Sequence, residues 1–102
     1  MVVVTREDTR AVVQPSGDTI VAATLPELRS KMRGIVEEGV KDLTVDLANV
    51  RMVDSSGIGL LISAHNSLRK VGGQFALIHV SPELMDLFKT MRIHQHFTVS
   101  GS

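Results

Sequence analysis

The chain has 102 residues, 43% of them hydrophobic but only 3% aromatic, so one domain's worth of core must be built from Val, Leu, Ile and Met. Its 11 basic and 11 acidic residues cancel and it has no cysteine, which argues against a polyanion-binding surface, a disulfide scaffold, thiol chemistry and Cys-based zinc sites. No apolar run reaches the length of a membrane span, and the opening MVVVTREDTR brings a charge after three valines, unlike a secretory signal. The expectation is a cytoplasmic protein with no direct membrane insertion, no nucleic-acid partner and no cofactor.

Val2–Thr5 and Arg10–Gln14 are rich in β-branched residues and flank the polar Arg6-Glu7-Asp8-Thr9, which predicts a hairpin. A turn is expected at Pro15-Ser16-Gly17-Asp18. Residues 24–39 then read as a helix. Thr24 with Glu27 forms a capping-box pattern, Pro26 sits in the first turn, and Leu25, Leu28, Met32, Ile35 and Val36 share one face. Gly39 is a natural stop. The charges Arg29, Lys31, Arg33, Glu27, Glu37 and Glu38 read as a solvated face with i,i+4 pairing.

LTVDL (43–47) alternates as a strand with one buried face, and Ser56 to Val71 reads as a helix whose apolar surface is wider than one stripe, ended by Gly72-Gly73. FALIHV (75–80) is nearly continuous apolar sequence, as in a strand inside a sheet. Ser81-Pro82-Glu83 starts a helix with Leu84, Leu87, Phe88 and Met91 on one face. Phe97–Val99 reads as a short last strand, and residues 99–102 as a loose tail. The order β-β-α-β-α-β-α-(β) predicts an α/β single domain over 1–102, a mixed sheet of about four to five strands with helices packed against it.

The stretch VDSSGIGLL (53–61) concentrates chemistry at a helix start. Four readings compete. Asp, Ser and Gly all favour helix N-termini, because a side-chain oxygen accepts an unpaired backbone N–H. A hydrolase would need Ser55 or Ser56 paired with His65, His79, His94 or His96, yet G-x-S-x-G is absent and His65 lies two to three turns along the same helix. A phosphate cradle at Gly57 and Gly59 lacks the third glycine and the lysine of a P-loop. His94 and His96 suggest no metal site, since no third ligand is apparent. The fourth reading is a phosphorylation switch.

That reading rests on a resemblance. The strand ending in Asp46-Leu47, then Asp54-Ser55-Ser56-Gly57-Ile58-Gly59, then Gly72-Gly73 followed by a strand, Ser81-Pro82 and a helix, together resemble the anti-sigma factor antagonist family, the stand-alone bacterial form of the STAS domain. The likeness covers most of the chain. It implies a non-enzymatic binding module for partner switching in transcription regulation. In its dephosphorylated form such a module binds an anti-sigma factor, a serine kinase of the histidine-kinase-like ATPase type, and a PP2C-type phosphatase restores that form. Carried over, Ser55 is the phosphoacceptor, with Ser56 the second choice.

In this reading Ser56 caps the helix, Gly57 and Gly59 let the partner approach the backbone, and Ile58 is a partner contact. One or both of Ile58 and Ile62 lie exposed beside the serine, the alternative being that both belong to the core. Asp54 positions and charges the loop. One position departs from the family pattern: alignment on Thr24 puts Val21 where relatives carry an acid, and Asp18 would substitute only if the loop shifts. The alternatives are a STAS subunit of a larger assembly, such as a lipid-transport complex or signalling scaffold, or a small nucleotide-binding or hydrolytic protein.

Overall fold

The computed structural model describes residues 2–93 and 98–101. A hairpin opens the chain: β1 (Val2–Glu7) pairs antiparallel with β2 (Arg10–Pro15), and only Asp8 and Thr9 form the turn, with Asp8 at φ 55. Beyond it come β3 (Thr19–Ile20), α1 (Leu25–Glu37), β4 (Asp42–Asp46), β5 (Met52–Val53), α2 (Ser55–Lys70), β6 (Gln74–Val80), α3 (Pro82–Thr90) and β7 (Thr98–Gly101). The main sheet runs β1-β2-β4-β6-β7, while β3 and β5 form a separate parallel pair.

From β2 onward the main-sheet neighbours are parallel and follow chain order. Right-handed crossovers between such neighbours place every connecting helix on one face. Burial agrees. Ala11, Val13, Leu43, Val45, Phe75 and Leu77 are buried, whereas Val12, Thr44 and Ala76, which alternate with them, are exposed or half-buried. The sheet therefore has one covered face, and β6 alternates instead of being buried on both sides as its apolar run suggested. Its alternation breaks once. A bulge between Leu77 and Val80, with His79 at φ 55, turns His79 outward and returns Val80 to the core.

The helical face read for α1 is the one that packs: Leu25, Leu28, Met32 and Ile35 are buried and Val36 half-buried. Gly39, at φ 102, ends it in a Schellman arrangement, its N–H donating to Val36 O and that of Val40 to Ile35 O. Gly72, at φ 75, ends α2 the same way, with Gly73 N–H donating to Leu68 O.

Several expectations change. Thr24 makes no side-chain cap bond and has helical dihedrals (φ −99, ψ −8). Residues 21–24 already turn, with Val21 O accepting from Thr24 N and Leu25 N, so the Thr24 hydroxyl reaches back to Val21 N at 3.0 Å instead of forward into the helix. Among the described residues α1 makes no i,i+4 ion pair; Glu38, just past its end, pairs with Arg6 across to the hairpin at 2.5 Å. Ser100 and Gly101 are not loose but lie in β7. Phe97, His94 and His96 lie outside the described residues.

Candidate functional site: the start of the second helix

The site is built where β5 delivers the chain to α2. Asp54, not Ser56, is the N-cap: its backbone is extended and its Oδ1 accepts from Gly57 N at 2.9 Å. The same oxygen accepts the Ser56 hydroxyl at 2.7 Å. Ser56 therefore spends its O–H on the cap residue, and its side chain is half-buried. Ser55 is the first helical residue and is exposed, and its hydroxyl has no partner among the described residues. Two adjacent serines thus have different chemistry.

The Asp54 carboxyl is held below its ordinary value, first by the Ser56 hydroxyl and next by the Gly57 N–H, with smaller help from the Ala22 and Ser56 N–H groups against partial desolvation. A depressed folded-state value means the cap contributes fully above the unfolded Asp range and fades as pH falls through the lowered folded value. Asp54→Ala should lower Tm at neutral pH, and its deficit relative to the parent should shrink in acid below that range. Thermal melts of both proteins from pH 7 downward check this, and a deficit constant with pH would refute the carboxylate's role.

The loop is fastened to β3. Asp54 N donates to Ile20 O at 3.1 Å, and the Asp18 carbonyl accepts from Arg51 N and Met52 N at 2.7 and 3.2 Å. The Asp18 backbone is thereby fixed just before β3, three residues ahead of Val21. Gly57 is buried because β3 sits on it: a Cβ there would lie 2.6 Å from Ile20 O and 2.7 Å from Val53 Cγ1. Its smallness serves internal packing, not the approach of a partner. Gly59 is exposed with open space around it. Ile58 is 3% exposed and belongs to the core with Ile20 and Val53, so it is not a surface contact. Ile62 is half-buried and shares the helical face of Ser55 and Gly59.

One surface residue was missed. Met52, two positions before Asp54, is 53% exposed; the pattern of buried Val50 and Val53 around it was the available signal.

Among the described residues no hydrolase constellation forms. His79 Nδ1 lies 2.9 Å from Asp46 Oδ1, but neither bonds to Ser55 or Ser56. His65 is ten positions along α2 from Ser55, about 15 Å at 1.5 Å per residue. A cavity of about 510 Å³, lined by Arg10, Asp42 and His65 among others, opens by the strand starts and includes neither serine. A phosphate cradle fares no better, because the Asp54 carboxylate already occupies the Gly57 N–H. Among the described residues no group of three or more His, Asp or Glu is placed to hold a metal, and no helix is long and apolar enough to cross a membrane.

A mixed sheet covered on one face, with an acid-capped, serine-bearing helix start, defines a small α/β module. The STAS domain profile matches residues 1–102, and the chain belongs to that family. It is similar to an anti-sigma-B factor antagonist of Staphylococcus epidermidis, 32% identical over 72 residues, 71% of this chain and 67% of that protein. Among solved structures it is similar to an anti-sigma factor antagonist from Mycobacterium paratuberculosis, with TM-score 0.86 and 24% identity, covering 100% of this chain and 86% of that one. It also resembles the phosphorylated form of SpoIIAA, a Bacillus cell fate determinant, with TM-score 0.77 and 18% identity over 100% and 92% of the two chains.

Proposed function

We propose that this chain is an anti-sigma factor antagonist, a cytoplasmic binding module and not an enzyme, switched by phosphorylation of Ser55. Dephosphorylated, it binds an anti-sigma serine kinase of the histidine-kinase-like ATPase type and releases the sigma factor or other target that the kinase holds. A PP2C-type phosphatase resets it. The observation that carries this reading is the asymmetry of the two serines: Ser56 is tied to Asp54 at 2.7 Å, while Ser55 offers an exposed hydroxyl.

A phosphoserine adds about −1.5 to −2 charges. At the first residue of α2 the helix dipole favours that charge by roughly 0.3–1 kcal/mol, so the fold survives modification and the effect falls on the surface. Next to Asp54 the new charge makes a dense negative patch, unsuited to a partner fitted to the neutral loop. A kinase that docks on this loop thus ejects its own product. Ile62 and Met52 supply apolar contact beside the serine.

Phosphosite mapping by mass spectrometry, on the protein recovered from its native cells across growth conditions, tests the reading. Phosphate on Ser55 that rises and falls is the expected result. Phosphate confined to Ser56 would contradict the assignment, and none under any condition would favour a STAS subunit of a larger assembly.

A further inference from the structure

α1 and α2 leave a groove between them, a cavity of about 280 Å³. Its floor is apolar, with buried Met32 and Leu60 beneath half-buried Val36 and Ala64. The α1 rim carries Arg29 and Arg33 one turn apart, then Glu37 one turn further. Neither guanidinium makes a hydrogen bond or ion pair among the described residues. The α2 rim is made of Ser63 and Ser67, which continue the i,i+4 row that begins at Ser55 and Gly59. Side chains this small let another backbone come close along the whole helix.

We infer that this groove docks an acidic amphipathic helix of the protein that reads Ser55. The inference rests on the partner-switching reading for the partner's identity, but on the groove alone for its chemistry. A helix laid between two helices seats an apolar ridge in the intervening groove. Here a large apolar side chain enters between Val36 and Ala64. Two carboxylates one turn apart face Arg29 and Arg33, and a lysine or arginine a turn further faces Glu37. The plus-plus-minus order spans about 12 Å, eight residues at 1.5 Å each, and fixes the direction in which the visiting helix lies. A nucleic acid or anionic lipid matches the two arginines but is repelled by Glu37.

The test is an NMR titration of the full ¹⁵N-labelled chain with two three-turn stapled helical peptides. One carries a central leucine, the glutamate pair and the trailing lysine; the other has every charge reversed. The acidic peptide should shift the amides of Val36, Ser63, Ala64 and Ser67, and the reversed peptide should bind about tenfold more weakly. In the doubly substituted Arg29→Glu, Arg33→Glu chain the preference should invert, with spectral dispersion reporting that the fold is intact. Equal binding of the two peptides, shifts confined to the open sheet face, or a silent titration would overturn the proposal. The two readings fail separately: absence of phosphate on Ser55 in cells removes the switch and leaves the titration result standing, whereas a silent titration beside a cycling phosphoserine removes the groove alone.

Discussion

Gly57→Ala is expected to melt well below the parent protein, whereas Gly59→Ala, two residues away on the same helix, should melt at or above it. Alanine is better than glycine in a helix by about 1 kcal/mol, and at Gly59 nothing within 4 Å opposes the new methyl. At Gly57 the methyl would meet Ile20 O at 2.6 Å, Val53 Cγ1 at 2.7 Å and Ile20 Cγ2 at 3.0 Å. The carbonyl is backbone and cannot rotate away, and it also accepts the Asp54 N–H. Relief requires β3 to lift off α2. Overpacking of this kind costs about 1–3 kcal/mol or more, which outweighs the propensity gain. Calorimetry of the two variants decides the matter, and a Gly57→Ala protein as stable as the parent would show that β3 does not press on the helix.

The largest functional effect is expected at Ser55. Against the kinase partner proposed above, the Ser55-phosphorylated chain should bind about a hundredfold more weakly than the unmodified one, equivalent to about 2.7 kcal/mol, while its Tm stays close to the parent value. Like charges forced together across an interface cost several kcal/mol, and the phosphate adds to the Asp54 carboxylate, whose pKa the Ser56 hydroxyl and the Gly57 N–H lower. Ser55→Ala should keep full affinity and be blind to the kinase's ATP. Isothermal titration of the three forms gives the comparison. Equal dissociation constants for the phosphorylated and unmodified chains would remove lost affinity as the basis of the switch.

The helices were legible where periodicity and chirality both spoke. Leu25, Leu28, Met32 and Ile35 share one face by spacing alone, and Gly39 and Gly72 stop their helices because they take positive φ. The two-residue strands β3 and β5 carry no periodicity at all, and most errors at the site follow from their omission. Without them, nothing appeared to cover the first turn of α2, so Ile58 looked available and Gly57 looked like an opening for a partner. Thr24 misled for a different reason: Thr followed by Glu three residues later suits a capping box, but the carbonyl of Val21 takes the amides of Thr24 and Leu25 first. The division between Ser55 and Ser56 was not legible either, because it depends on which side chain reaches the Asp54 carboxylate.

α2 is clamped by glycines at both of its ends. A Cβ at Gly57 would strike Ile20 O at 2.6 Å, and one at Gly73, just beyond the helix, would strike Lys41 O at 2.2 Å. A rod held against backbone at both extremities resists sliding and rotation, which disfavours a mechanical message from Ser55 to remote parts of the molecule. On the proposed function, a phosphate on Ser55 would be read at the spot where it is attached, by a partner in direct contact. In the switch proposed above, the chain acts as a key whose charge is rewritten at Ser55, and the partner that reads it decides which target goes free.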